Sequence, residues 1–299
     1  MIAHRSNIPQ KPSRVVVLGV GGFIAGAIAR RLGEDAIPLL HLGRPGLDLT
    51  AAGAAARLSA ELHADDALVF ASARAPCRDL AMLRENLVMA EAVCGALAAR
   101  SVAHVVYISS DAVYRDSREP ITEASCAEPS SLHGAMHLAR EIALRQAFAG
   151  PLALVRPTLV YGFDDPHGGY GPNRFRRLAA SGQDIVLFGE GEERRDHVDV
   201  EDIAELVRLI LLHRSAGIAN AVSGDVVSFR ELAEFTAAEF EPKVAIRSAP
   251  RSGPMPHGGY RPFDNRALLA AFPGFRFRSW REGLARINAR QRALAKGAS

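Results

Sequence analysis

The chain has 299 residues, 48% of them hydrophobic, which is enough to bury a full core. Its 36 basic and 33 acidic residues leave a net charge of only +3, and no basic run with interleaved aromatics marks a nucleic-acid surface. No apolar run reaches the roughly 18 residues of a membrane span, and the N-terminus lacks the apolar stretch of a signal peptide, so a soluble, cytoplasmic protein is expected.

Residues 1–13 read as a polar tail. Arg14–Val20 is a β-branched run entering a glycine turn, the pattern of a strand buried on both faces of a parallel sheet. Helical content follows at Phe23–Leu32, and the alternation then repeats. Strands are predicted at Pro38–Leu42, Ala67–Ala71, His104–Ser109 and Leu152–Arg156, with helices at 51–62, 79–99 and 133–148. Strands alternating with helices imply right-handed crossovers, so residues 14–160 are expected to form an α/β, doubly wound parallel sheet. From about residue 157 the loops lengthen and gather glycine and proline, at 161–173 and 248–262. Between them the sequence predicts helices near 174–181, 201–214 and 229–239 and a strand at Ile185–Phe188. Residues 161–299 therefore read as a smaller α/β lobe, interleaved with the first and closing over a ligand at the strand ends.

The first turn carries a chemical signal. Gly19, Gly22 and Ala25 form a G-x-x-G-x-x-A loop between the first strand and the first helix. Gly19 permits a tight turn, Gly22 lets backbone amides approach a pyrophosphate, and the helix N-terminus adds partial positive charge. Dinucleotide binding is the expectation. At the end of the second strand no carboxylate occurs before Asp48, whereas Arg44 offers a fork for a 2′-phosphate, which tilts the choice towards NADP over NAD. Cys77, Cys94 and Cys126 are odd in number and lack metal-type spacing, so neither disulfides nor a metal site is expected.

Taken in order, these segments resemble the extended short-chain dehydrogenase/reductases, specifically the NAD-dependent epimerase/dehydratase family. Gly19, Gly22, Phe23 and Ile24 resemble its opening loop. Asp48 and Leu49 are similar to the segment that meets the adenine, Ala71-Ser72-Ala73 to the segment lining the cofactor, and Asn86 to an asparagine on the next helix. Ser110-Asp111-Ala112-Val113-Tyr114 resembles the active-site strand end, with Ser110 as the catalytic hydroxyl and Asp111 where dehydratases carry an aspartate. Arg156-Pro157 opens a segment that approaches the nicotinamide. Asn173, Arg174, Arg195 and Arg261 are similar to residues that hold a nucleotide-linked sugar, and three arginines would suit its pyrophosphate. The resemblance implies a Rossmann-type fold, NAD or NADP as cofactor, a nucleotide-sugar substrate, and a homodimer through the helices near 79–99 and 133–148.

One departure bears on the chemistry. The family's catalytic Tyr-x-x-x-Lys is replaced by His133 and His137, and no lysine lies between Lys11 and Lys243. Three readings are open. His133 transfers the proton, its pKa being suited to neutral pH without a neighbouring cation, while His137 bonds the cofactor ribose. Alternatively the site is inactive and the chain is an NAD(P)-binding sensor or scaffold. Thirdly, His133, His137 and Glu141, spaced along one helical face, bind a metal. Ser110, Asp111 and the arginines favour an epimerase, dehydratase or ketosugar reductase. His167 and His197 sit in the loops of the second half and are expected to be polar loop residues, with proton transfer by either as the alternative.

Overall fold

The computed structural model describes residues 1–297; residues 298 and 299, the end of the expected second lobe, lie outside them. In chain order the first elements are β1 (Val15–Leu18), α1 (Phe23–Glu34), β2 (Leu39–Leu42), α2 (Ala54–Glu61), β3 (Ala67–Phe70), α3 (Leu80–Ala99), β4 (His104–Ile108), α4 (Leu132–Ala147) and β5 (Leu152–Pro157). There follow β6 (Leu159–Tyr161), α5 (Pro172–Ala180), β7 (Ile185–Phe188), β8 (Arg194–Asp199), α6 (Val200–Leu212), β9 (Gly217–Ala221) and β10 (Val226–Ser228). The last are α7 (Phe229–Ala238), β11 (Ile246–Ala249), β12 (Tyr260–Arg261), α8 (Arg266–Ala271) and α9 (Trp280–Gly297).

Six strands form one parallel sheet in the order β2-β1-β3-β4-β5-β9. Successive side chains of a strand face opposite ways, and both faces are covered here. Val15 and Val17 of β1 join Val106 and Val155 in a core roofed by Ile28 of α1 and Ile203 of α6. Val16 and Leu18 join Phe70 and Tyr107 in a second core with Leu58 of α2, Val93 of α3 and Leu144 of α4. The strand order reverses at β1, so a crevice opens at the carboxyl ends of β1 and β3. The expected elements up to β5 are present to within a few residues. β1 stops at Leu18 because Gly19 turns the chain with φ of 119°.

The second half differs more. β9, the sixth strand, and α6, which packs on α1, return the chain to the first sheet. A third core gathers Phe175 of α5, Leu187 of β7, Leu232 of α7 and Trp280, Leu284 and Ile287 of α9. β8 is buried along five of its six residues although it reads RRDHVD. Its acids are satisfied by distant donors. Asp196 accepts from Ser223 N at 3.0 Å, Ser223 Oγ at 2.9 Å and Gly224 N at 2.7 Å, and Asp199 accepts from Arg286 at 2.6 Å.

The expected polar tail is docked rather than free. Ile2 is buried, Ala3 bridges Ala216 in antiparallel fashion, and His4 bonds Ser215 Oγ at 2.8 Å and the Ala271 carbonyl at 2.7 Å. One buried apolar side chain, a backbone bridge and two histidine hydrogen bonds hold a segment whose composition is otherwise polar. Among the described residues, no helix is long and apolar enough to cross a membrane.

Candidate active site

The glycine loop forms one end of a trough. A Cβ on Gly19 would lie 3.1 Å from Ser72 N, and one on Gly22 would lie 2.9 Å from the Gly19 oxygen, so neither position has room for a side chain. Gly22 caps α1 without a side-chain hydrogen bond, which leaves the first amides of the helix for a ligand. A cavity of about 290 Å³ sits over this loop, lined by Gly19, Gly22, Arg44, Asp48 and Leu49. Ala71, Ser72 and Ala73 close its far wall. Thr50 donates to Asp48 Oδ1 through its amide at 2.8 Å and its hydroxyl at 2.7 Å, and these bonds hold the carboxyl below its ordinary pKa. The exposed Arg44 is its neighbour across the cavity mouth.

Asn86, expected beside the cofactor, is tied to the loop after β3. Its side chain is buried, with Nδ2 donating to the Arg74 and Met82 carbonyls and Oδ1 accepting from Arg74 N at 3.0 Å. Every polar atom is thus committed to the protein. Asn86 shapes the loop after β3 and does not itself face the cavity.

A second cavity, of about 270 Å³, shares Gly22, Ala71 and Ala73 with the first. Phe23, Ile24, Ser110, His133, His137 and Pro157 line it. Ser110 lies just past β4 and caps the short turn Asp111–Val113, accepting from Ala112 N at 3.2 Å. Ser131 caps α4, which puts His133 in the first helical turn and His137 one turn on. The two rings meet edge-on, 4.7 Å apart. Cys77 N donates to His133 Nδ1 at 3.4 Å, a long bond that orients the ring and favours the neutral form with its proton on Nε2. Burial lowers the pKa of His133, and the nearby Asp111 partly offsets this. Burial lowers His137 much further, with help from His133 and Arg140.

Gly134 makes this geometry possible. It is buried between the two histidines, and a Cβ there would run into the Ala112 carbonyl of the Asp111 turn. Gly134→Ala is therefore expected to push α4 from that turn and cost about 1–3 kcal/mol, measured by urea unfolding. A variant as stable as the parent would mean that the two elements do not touch.

Several expected site residues are bound to one another. Arg261 is fully buried; its Nε donates to Asp111 Oδ2 at 2.9 Å, Nη2 donates to the Asp111 carbonyl at 2.7 Å, and Nη1 donates to Asp116. Both were expected to act on a substrate, Asp111 as a proton-transfer group and Arg261 on phosphates. In this structure they cross-link β12 to the Asp111–Val113 turn, because a buried guanidinium must spend its donors on acceptors within reach. Arg195 faces Arg261 in the β8–β12 register and bonds Glu193 at 3.3 Å, whereas Arg174 is exposed on α5. None of the three lines the cavities described here, so the expected convergence on one pyrophosphate is absent from this arrangement. Glu141 is also engaged. It accepts from Ser109 Oγ at 2.6 Å and from Arg156 Nε at 2.8 Å, with a second Arg156 bond beside them. The metal reading loses its third ligand. Among the described residues only His63, Asp65 and Asp66 bring three such groups together, just before β3 and away from this cleft.

A third cavity, of about 290 Å³, meets the second at His133, Ala75, Val160, Asp165 and His167. Asn173 lines it and accepts from Gly162 N at 3.0 Å, which leaves its amide NH₂ for a ligand. His197, expected in a loop, is buried on β8. Its Nδ1 donates to the Arg195 carbonyl at 3.1 Å, burial brings its pKa to about 3, and its Nε2 has no protein partner. The sequence reading also missed Tyr107 and Arg140. No lysine lies near the histidines in sequence; the buried cation beside them is Arg140.

Comparison with known proteins agrees with this architecture. A profile of the NAD dependent epimerase/dehydratase family matches residues 15–223. A dTDP-L-rhamnose 4-epimerase of Burkholderia thailandensis is 30% identical over 139 residues, 43% of this chain and 38% of that protein. The fold is similar to that of a Thermus thermophilus UDP-glucose 4-epimerase in complex with NAD, with TM-score 0.82 and 22% identity over 93% of this chain and 99% of that one. It is likewise similar to a GDP-L-fucose synthetase from Naegleria fowleri bound to NADP, with TM-score 0.77 and 17% identity over 96% of each chain. With its glycine loop, parallel sheet and strand-end cleft, this chain belongs to the NAD dependent epimerase/dehydratase family.

Proposed function

We propose that this protein is an NAD(P)-dependent enzyme acting on a nucleotide-linked sugar, as an epimerase, dehydratase or ketosugar reductase. One observation carries the reading: three cavities run into one another from the glycine loop to β8, and His133 stands where the second meets the third. A dinucleotide fits the first two, with its pyrophosphate over Gly19, Gly22 and the free amides of α1. Asp48 would meet the adenosine end, and Ser110, Pro157, His133 and His137 the nicotinamide end. The sugar would enter the third cavity, near Asn173 and His197. Residues 161–299 would then be mainly the substrate lobe, and the relatives named above suggest the nucleotide-linked class of substrate.

When bound, the nicotinamide supplies or takes up hydride. The chain's own task is the oxygen. Ser110 donates a hydrogen bond to the reacting oxygen, and His133 exchanges the proton with it. His137 holds the cofactor ribose. The outward faces of α3 and α4 expose Leu80, Leu87 and Ile142, which suits a homodimer through these helices. Turnover of a panel of nucleotide sugars, followed by nicotinamide absorbance or product analysis, tests the assignment. Conversion of one of them supports it; dinucleotide binding without conversion of any would favour the sensor or scaffold reading.

Arg44 supports NADP as the preferred form, since its fork lies at the mouth of the adenosine cavity. Arg44→Ala is expected to weaken NADPH binding about tenfold, ~1.4 kcal/mol, and to leave NADH binding within about twofold. Equal losses for both in a calorimetric titration would contradict this preference.

A further inference from the structure

His137 occupies the position at which a charged lysine was expected, yet its surroundings favour a neutral ring. It is buried on α4, its Nδ1 lies 2.7 Å from the hydroxyl of Tyr107 on β4, and the second cavity opens beside it. The Tyr107 hydroxyl is fully buried; its close hydrogen bond is to His137, and the Arg140 guanidinium beside it can only donate to the phenol oxygen. A single proton must therefore sit between the two atoms. If His137 donated it, the phenolic hydrogen would be left unpaired in the core. If Tyr107 donates it, both atoms are satisfied, and the remaining ring proton is on Nε2.

Arg140, less than one turn further along α4, reinforces that choice. It is fully buried, and no carboxylate partners it among the described residues. Its guanidinium carbon is 4.1 Å from the centre of the Phe70 ring and 5.2 Å from that of Tyr107. Nη2 donates to the Ser72 carbonyl at 2.7 Å, on the loop that walls the first cavity. Such a cation is costly to bury, and here stacking on aromatic faces and one carbonyl stabilise it. It does two things for His137. It ties the helix to the cofactor-lining loop, and it opposes a second positive charge close by. The other ionisable neighbours are His133 on the same helix and Glu141, whose carboxylate is turned to Arg156 and Ser109.

We propose that Tyr107 and Arg140 are positioning residues that hold His137 as a neutral imidazole presenting its Nε2–H to the cavity, where it donates to the nicotinamide ribose. The ribose clause rests on the dinucleotide reading given above; the tautomer does not. The missing lysine is thus replaced in its hydrogen-bonding role by an uncharged donor. The positive charge persists one layer deeper, on Arg140.

Nitrogen-15 NMR of the histidine rings in the ligand-free wild-type protein tests the tautomer, with His137 assigned by its absence from His137→Gln. The expected signature is an unprotonated Nδ1 and a protonated Nε2, constant between about pH 5 and 8. An Nδ1–H tautomer, or an imidazolium in that range, would overturn the proposal. Tyr107→Phe is expected to give mixed tautomers, and Arg140→Met to let the ring protonate at a higher pH than in the wild type, with burial still holding it below the ordinary value. If neither variant altered the signals, neither residue would be setting the ring. Dinucleotide titration tests the ribose clause. His137→Leu is expected to lose about tenfold in affinity, and His137→Gln, whose amide places an N–H close to Nε2, to recover most of it. Equal losses in both variants would sink the donor role, whereas a wild-type protein with no affinity would sink the dinucleotide reading and leave the tautomer result standing.

Discussion

Glu141→Gln is expected to cost about 3–5 kcal/mol of unfolding free energy, the largest stability change anticipated at this site. Glu141 and Arg156 are both essentially buried and joined by two hydrogen bonds, one of 2.8 Å. The amide has nearly the shape of the carboxylate but no charge, so the Arg156 guanidinium would be left as an uncompensated cation inside the protein. Stacking of Arg156 on Tyr114, 4.7 Å from the ring centre, recovers only part of this. The Ser109 hydroxyl would keep an acceptor but lose a charge-assisted bond. A double variant, Glu141→Leu with Arg156→Met, removes both charges and should recover much of the loss, because the pair itself is worth little beyond its own desolvation. Urea unfolding of the three proteins checks this. A loss below about 1 kcal/mol for Glu141→Gln would mean that water reaches the pair.

The largest effect on activity is expected from His133→Ala, which should lower turnover by about 10²–10⁴ if the ring transfers the proton. The pH dependence has a definite sign. Burial depresses the pKa of His133, and the Asp111 carboxylate opposes this only in part. The neutral ring is therefore the resident form above its ordinary value of about 6.5. In the direction that removes a proton from a substrate hydroxyl, turnover should be level at and above that pH and fall only further to the acid side, as the pH passes the depressed pKa. The sequence alone suggests a step at about pH 6 to 7; burial moves it towards the acid side. His133→Tyr should shift the step to alkaline pH, since a phenol titrates near 10. An unchanged profile in His133→Tyr would assign the proton transfer to another group.

How far the sequence reached depends on how local each structural cause is. The β1 run and the glycine loop are legible because Val15–Leu18 and Gly19 are dictated by neighbours in the chain: a β-branched strand, then a turn with positive φ. β8 is not legible. Its RRDHVD run carries no strand signal of its own, and Asp196 and Asp199 can be buried only because Ser223, Gly224 and Arg286 arrive from elsewhere in the chain. Arg261 and Asp111, 150 residues apart, likewise cancel one another only in space. β9 reads GIANA, too short in branched residues to announce a strand, and its place at the sheet edge is set by pairing with β5. α9 is a different case, since Trp280, Leu284 and Ile287 recur at helical spacing and a periodicity scan of the last twenty residues would find them. Arg140 is one arginine among many in the sequence, and only its burial against Phe70 and Tyr107 marks it as the cation beside the histidines.

The central claim is that a pyridine dinucleotide lies along the trough from the glycine loop to the histidines. Calorimetric titration of the purified protein with NADPH and NADH tests it most directly, alongside Gly22→Val, whose side chain would fill the cradle beside the Gly19 carbonyl. Saturable binding of one dinucleotide per chain, lost in Gly22→Val, is the predicted result. No binding of either dinucleotide by the wild-type protein, or undiminished binding by a folded Gly22→Val variant, would contradict it.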